Sequence, residues 1–194
     1  MRMTRAPRIL VLAAGAAFLW AAAAGAEDHC SAKGSMGGKA FAMTHCAAAV
    51  YDSEKSVSLW FSEKPIPADE IETFHISSYP KDRDPDNKPR TTLALGFCPG
   101  GGKAPASPGA VKTVELDLKD ASNPMAGQTW LFELPKDKDL KFEKLSGDVK
   151  PGGKLTGRVT GKKKRDDGTL YDWQIDFEVT LPARAAGGGM SCGS

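Results

Sequence analysis

The chain has 194 residues, of which 26 are Lys or Arg and 24 are Asp or Glu, giving a formal net charge of +2. The only charged residues before position 27 are Arg2, Arg5 and Arg8, so the remaining 168 residues carry 23 basic and 24 acidic side chains. A chain so close to neutrality lacks the positive field that nucleic-acid binding needs, and no nucleic-acid partner is expected. Its length suits one domain with a core of its own.

The first 26 residues predict a secretory signal peptide. The three arginines form a charged start, an apolar run extends from Ile9 to Ala24, and Ala24-Gly25-Ala26 offers small residues for cleavage. These three parts in this order are typical of a signal peptide. The alternative is an N-terminal membrane anchor, but the apolar run is short for a full span and is diluted by alanine and glycine. We therefore expect a secreted or periplasmic protein that is not an integral membrane protein after cleavage.

The two ends of the remaining chain differ in composition from its middle. Residues 27–38 are small and polar with three glycines, and they predict a flexible N-terminal segment unless Cys30 fixes it. Residues 183–194 are Gly-rich and predict a loose C-terminal tail. Residues 39–182 should form the folded domain.

That middle part contains short runs in which apolar and polar side chains alternate, and Pro-, Gly- and Asp-rich turn signals separate them. Alternation with a period of two places one set of side chains on each face of a strand. The predicted strands lie at residues 39–52, 56–63, 70–77, 91–97, 111–120, 128–134, 154–161 and 171–181. About eight short strands without a long helix predict an all-β class, in the form of a single antiparallel β-sandwich or barrel-like domain.

The clearest run is YDWQIDFEVTL at residues 171–181. Its apolar set is Tyr171, Trp173, Ile175, Phe177, Val179 and Leu181. Polar side chains occupy every position between them, as in a strand with one face in the core and one in water. Trp173 lies in the middle of the apolar set, and we expect it to be among the most buried side chains.

The four cysteines all follow the predicted cleavage site, and an even number in an oxidising compartment favours disulfide bonds. We predict the pairs Cys30–Cys46 and Cys98–Cys192. The first pair encloses a Gly-rich segment that can turn back on itself, and the second would fix the Gly-rich tail. One alternative stays open, in which Cys30–Cys192 ties the two ends together and Cys46–Cys98 links two strands.

Two His-Cys dipeptides with two methionines between them suggest a metal site as an alternative to structural cysteines. Such a site suits a soft metal such as Cu(I). Its ligands would come from His29, Cys30, Met36, Met43, His45 and Cys46. Zinc-finger spacing is absent, and cysteines outside the cytosol are readily oxidised. Structural cysteines are therefore favoured, and neither a metal nor another cofactor is predicted.

Asp82, Asp84 and Asp86 alternate within KDRDPDNKPR and could turn three carboxylates toward one Ca²⁺. An EF-hand loop would need Gly in place of Asn87 and Glu in place of Leu93. Basic residues between the acids also offset their charge. A solvated loop is therefore favoured over this weak calcium candidate.

Residues Lys162–Arg165 form a run of four basic side chains before Asp167-Gly168. A basic cluster can bind an anionic polysaccharide or lipid headgroups. However, Asp-Gly between two alternating runs predicts a β-hairpin, and Asp166 and Asp167 would offset the positive charge. We expect a hairpin tip that binds an anionic surface weakly at most.

No motif in the chain specifies a reaction. There is no Gly-x-Ser-x-Gly, no His-Glu-x-x-His and no P-loop, and no catalytic residue is predicted. The leading hypothesis is an exported, non-enzymatic domain that binds a ligand or surface or has a structural role. One alternative is a periplasmic copper or zinc protein using the His-Cys region. The other is an exported hydrolase with dispersed carboxylates.

Overall fold

The computed structural model describes residues 28–51, 56–73, 89–99 and 106–183. Several expectations concern residues outside these ranges and stay predictions. They are the signal peptide at 1–26, the part of the predicted strand at 70–77 that follows Thr73, the calcium candidate Asp82, Asp84 and Asp86, the tail at 183–194 beyond its first residue, and the pairing of Cys192.

Antiparallel β-structure dominates the described residues, which confirms the predicted all-β class, with ten strands rather than about eight. Sheet A contains β1 (His29–Met36), β2 (Lys39–Met43), β8 (Leu140–Gly147), β9 (Lys154–Lys164) and β10 (Leu170–Thr180). Sheet B contains β3 (His45–Tyr51), β4 (Ser56–Ser62), β5 (Thr92–Phe97), β6 (Thr113–Asp120) and β7 (Asn123–Glu133). A six-residue helix, α1 (Ala68–Thr73), and a 3₁₀ turn, Pro108–Ala110, complete the described elements.

The strands are ordered in space almost as they are in the chain. Sheet A has the order β2-β1-β10-β9-β8, and sheet B has the order β3-β4-β5-β6-β7. Within the described residues the chain therefore passes between the sheets twice, at Thr44 and at residues 134–139. The first and last strands are neighbours, since His29 lies opposite Glu178 and the backbone N–H of Thr180 donates a 2.8 Å hydrogen bond to Asp28.

Apolar side chains from both sheets form one core cluster. The predicted inward set of β10 is confirmed, because all six side chains are buried and Trp173 is only 3% exposed. Aromatic rings of the two sheets meet within this cluster. The ring centroids of Phe97 and Phe142 are 5.2 Å apart, and those of Trp130 and Tyr171 are 4.8 Å apart.

Residues 27–38 were expected to be flexible unless Cys30 fixed them, and Cys30 is disulfide-bonded. Residues His29–Met36 form β1, which lies between β2 and β10 inside sheet A. The small residues suit this position, because a Cβ at Gly34 would collide with the backbone carbonyl of Asp172 on β10. Gly37 and Gly38, with φ of 57° and 83°, form the turn into β2.

Two predicted strands have a different structure. The run at 39–52 is divided at Thr44 into β2 and β3, which belong to different sheets. The run at 70–77 begins in helix α1, where the carbonyl of Pro67 accepts hydrogen bonds from Glu70 and Ile71 at 3.1 and 3.2 Å. Acidic residues in the first turn favour this helix over a strand. Among the described residues no helix has both the length and the apolar character to cross a membrane.

Strand β8 was not predicted, because its apolar side chains do not alternate regularly. The register with β9 shifts between Phe142 and Lys144. Leu140, Phe142 and Leu145 therefore all pack against the core although the spacing changes from two to three residues. An extra residue of this kind is a β-bulge, which reverses the alternation beyond it.

The predicted bond between Cys30 and Cys46 is present, with a Cα–Cα distance of 6.3 Å. It joins β1 of sheet A to β3 of sheet B, beside the point where the chain changes sheets at Thr44. Cys98 is also disulfide-bonded. Its predicted partner, Cys192, lies outside the described residues.

Replacing both Cys30 and Cys46 with serine should lower the free energy of unfolding by about 3 kcal/mol, because the bond closes a short loop and restricts the unfolded chain. Urea unfolding followed by far-ultraviolet circular dichroism measures this loss. A loss below about 1 kcal/mol, the typical effect of an arbitrary mutation, would show that the fold does not need the bond where the chain changes sheets at Thr44.

Candidate functional site

An apolar depression lies where the chain passes from β7 of sheet B to β8 of sheet A. We call it the corner groove, and its volume is about 640 Å³. Its apolar lining consists of Pro108, Val111, Leu134, Pro135, Leu140 and Phe142. Val111 and Leu140 are core residues, so the floor of the groove belongs to the core and its walls come from the 3₁₀ turn and the link after β7.

Backbone hydrogen bonds hold the walls of the corner groove in place. The N–H of Leu134 donates to the carbonyl of Lys112 at 2.7 Å, which joins the two walls. The N–H of Ala106 donates to the carbonyl of Gly147 at 3.0 Å, so the segment before the 3₁₀ turn is attached to β8. A preformed apolar depression of this volume is typical of small-molecule sites.

Charged side chains surround the apolar floor of the corner groove. They are Lys112, Lys138 and Lys141 with Asp137 and Glu143. Both acids accept hydrogen bonds, Asp137 from the backbone of Glu133 at 2.9 Å and Glu143 from the hydroxyl of Thr160 at 3.0 Å. The three lysines form no ion pair with any described residue. With three lysines and two carboxylates, the rim of the corner groove carries one net positive charge.

A second, polar depression of about 520 Å³ lies on the outer face of sheet A. Four residues form a row across its strands, in the order Lys141, Thr160, Gln174 and Lys33. At about 4.8 Å per strand, the two lysines at its ends are about 14 Å apart at Cα. Lys138 and Lys141 line both this depression and the corner groove, so they lie at the boundary between the polar depression and the apolar groove.

Asp176 lies on the same face of sheet A, next to this row. Arg158 pairs with it, and the amide of Gln174 donates to it at 2.8 Å. Burial raises the pKa of Asp176, but hydrogen bonds from Gln174 and Arg158, together with the charges of Arg158 and Lys33, lower it by more, so it lies below its ordinary value of 3.8. This direction is opposite to the raised pKa that a general acid needs.

The lowered pKa predicts a dependence of stability on pH. A carboxyl group with a lower pKa in the folded state stabilises the fold above its unfolded pKa, and this contribution is lost as the pH falls through the folded pKa. Asp176→Asn should therefore reduce stability near neutral pH and flatten its fall between about pH 5 and about pH 2. Chemical unfolding at several pH values measures this. Asp166→Asn, in the exposed turn after β9, is the control, and an equal effect of both variants would contradict the prediction.

The six residues of the alternative metal site do not meet at one point. Cys30 and Cys46 are bonded to each other, and Met43 is fully buried in the core. His29 and Met36 lie at opposite ends of β1, about 23 Å apart for seven residues of strand. Within the described ranges, no group of three or more His, Cys, Asp or Glu side chains is close enough together to hold a metal ion.

The basic run Lys162–Arg165 is at a hairpin tip, as predicted. The N–H of Arg165 donates to the carbonyl of Thr169 at 2.9 Å and closes the turn between β9 and β10. Three of the four basic side chains form ion pairs, Lys162 with Asp172, Lys163 with Asp139 and Arg165 with Asp167. Neighbouring acids therefore offset most of the charge of this tip.

The residues of the corner groove were not found from the sequence. They come from three segments that show no shared spacing, namely the 3₁₀ turn, the link after β7 and the start of β8. The only local signals are the two prolines, Pro108 and Pro135, and the lysines that follow the second one. The chain matches no protein-family model, no curated protein and no solved structure.

Proposed function

We propose that the chain is an exported, non-enzymatic β-sandwich domain that binds a small ligand in the corner groove. Two findings support the sandwich. Both sheets contribute to one large core cluster, and aromatic rings of the two sheets are in contact. The charged and apolar N-terminus and the Cys30–Cys46 bond support export. The observation that carries the binding function is the apolar corner groove of about 640 Å³, beside three lysines that form no ion pair among the described residues.

Export has its own test. When the full chain is expressed in a bacterium, N-terminal sequencing of the protein released from the periplasm or medium should begin at or near Glu27. A chain that keeps Met1 and sediments with membranes would refute the signal peptide and favour an anchor.

Binding in the corner groove can be tested with the neutral apolar dye Nile red, whose fluorescence rises in an apolar site. We expect saturable binding to the wild-type protein. The blocking variant is Gly109→Trp, because Gly109 lines the groove and a Cβ there would meet no heavy atom within 4 Å. The indole can enter the groove without backbone strain, so binding should weaken at least about tenfold.

The matched control for this experiment is Ser107→Trp. Ser107 is exposed and lies two residues before Gly109, but it does not line the groove. Ser107→Trp should leave dye binding unchanged. Equal binding by the Gly109→Trp variant, with circular dichroism showing that it is folded, would refute the corner groove as the binding site.

A further inference from the structure

We propose that the ligand of the corner groove is a single-chain fatty carboxylate, whose chain lies on the apolar floor and whose carboxylate is held by Lys138 and Lys141. This inference rests on the proposed function, since it names the chemical class that the same groove takes. Three features carry it: the charge of the rim, the place of the two lysines and the volume of the groove.

The rim favours an anion over a cation or a neutral group. The three lysines of the lining outnumber its two acids, Asp137 and Glu143, which each accept a hydrogen bond, from Glu133 and Thr160 respectively. Lys138 and Lys141 are exposed and form no ion pair among the described residues, so their ammonium groups can pair with an incoming acid. A carboxylate that accepts hydrogen bonds from ammonium groups gains more than a neutral hydroxyl in the same place.

The place of the two lysines favours a molecule with an apolar part and one charged end. Both lysines line the apolar corner groove on one side and the polar depression on sheet A on the other. A ligand whose chain covers Leu134, Pro135 and Phe142 therefore has its end at the lysines, where the surface becomes polar. An anion without an apolar part would leave the floor exposed to water, which is unfavourable for the apolar surface.

The volume of the groove limits the ligand to one chain. A depression of about 640 Å³ is in the range of sites that hold a single small molecule. A two-chain lipid needs a larger apolar surface than the described side chains offer. We therefore expect a free fatty acid rather than a phospholipid.

Lys141 in β8 and Lys138 just before it have another ordinary role. Strand β8 is at the edge of sheet A, and lysines on an edge strand discourage pairing with strands of other molecules. If that is their whole role, removing Lys138 and Lys141 changes self-association and leaves the choice of ligand unchanged. The two roles therefore predict different results in a binding experiment.

The experiment compares dodecanoate, below its critical micelle concentration, with dodecanol as displacers of Nile red. These molecules differ in the end group and share the chain, so the ratio of their affinities reports the contribution of the lysines. For the wild type, dodecanoate should bind about five- to tenfold more tightly than dodecanol. In Lys138→Gln/Lys141→Gln this preference should disappear while dodecanol binding stays. The control, Lys150→Gln, changes a lysine of the β8–β9 turn that does not line the groove and should keep the preference.

The outcomes separate this inference from the proposed function. If Gly109→Trp abolishes dodecanol and dye binding but dodecanoate binds no better than dodecanol, the groove binds apolar ligands and the carboxylate inference is wrong. The inference is also wrong if the double lysine variant keeps the preference for dodecanoate, whether or not its self-association changes. If Gly109→Trp leaves both displacers unaffected, the corner groove is not the site and both proposals fail.

Discussion

Trp173→Ala should lower the free energy of unfolding by about 3–5 kcal/mol, which is the range for removing a large aromatic side chain from a core. Trp173 is 3% exposed and lies on β10 in the middle of sheet A. Its ring also reaches sheet B, with centroid distances of 5.1 Å to Trp130 and 6.1 Å to Phe132 of β7. The substitution therefore removes contacts within one sheet and between the two.

The surroundings of Trp173 place this loss toward the upper end of the range. Its neighbours in register on β1 and β9 are Gly34 and Gly161, and a Cβ at Gly161 would lie 2.8 Å from the indole ring. Because both neighbours lack a side chain, neither can move into the space that the ring leaves. The cost of a cavity is highest where the surroundings cannot collapse.

Two further variants make the test specific. Trp173→Phe keeps a ring and removes an indole N–H that is buried and has no hydrogen-bond partner among the described residues, so its loss should be smaller than that of Trp173→Ala. Leu131→Ala changes an apolar side chain on β7 that is 62% exposed, and should alter stability by less than about 0.5 kcal/mol. Guanidinium unfolding followed by circular dichroism measures all three. A loss below about 1 kcal/mol for Trp173→Ala would contradict the burial of this ring.

Strand β10 could be predicted from the sequence because its environment is uniform along its length. One face meets the core and the other meets water from Tyr171 to Thr180, so a period of two is present without interruption. Strand β4 shows the limit of that reasoning. Its apolar set of Val57, Leu59 and Phe61 is buried as predicted, but Ser56 and Ser62 of the opposite set are fully buried as well. Burial of the second face depends on tertiary contacts. The alternation of apolar and polar residues within one strand does not reveal them.

Two elements were missed because local composition and tertiary position disagree. Residues of β1 are small and polar like those of a loop, yet they form an inner strand because glycine at position 34 lets β1 approach β10 closely. In β8 the shift in register after Phe142 interrupts the alternation. The corner groove was missed for two reasons. Its floor includes residues of the bulged strand β8, and its walls come from segments that are distant in the chain.

Arg90→Met should lower the free energy of unfolding by about 3–5 kcal/mol, because it breaks an ion pair whose guanidinium is buried. Arg90 lies just before β5, and its side chain is 3% exposed. Its guanidinium pairs with Glu70 of α1, whose side chain is 15% exposed, and donates a 3.4 Å hydrogen bond to the carbonyl of Pro65. Methionine keeps much of the volume of the side chain, so the loss reports the charge and its hydrogen bonds more than the packing.

The same contacts explain why α1 should respond to this substitution. The backbone beside Arg90 is joined to the segment before α1, since the N–H of Thr91 donates to the carboxylate of Glu63 at 3.0 Å. Arg90 and Thr91 therefore attach residues 63–73 to the start of β5 from two sides. Without the guanidinium, the Glu70 carboxylate would lose its ion pair with Arg90 in a place where its side chain is only 15% exposed, and a charge in such a place is costly to separate from its pair.

The control for Arg90→Met is an exposed ion pair. Lys136 and Glu133 form one at 3.1 Å, with side chains 81% and 63% exposed. Lys136→Met should change stability by less than about 1 kcal/mol, because water screens the pair and replaces its contacts. A double-mutant cycle of Arg90→Met with Glu70→Gln should give a coupling energy above about 1 kcal/mol. Additive losses, with coupling below about 0.5 kcal/mol, would show that Arg90 stabilises the fold through other contacts than its pair with Glu70.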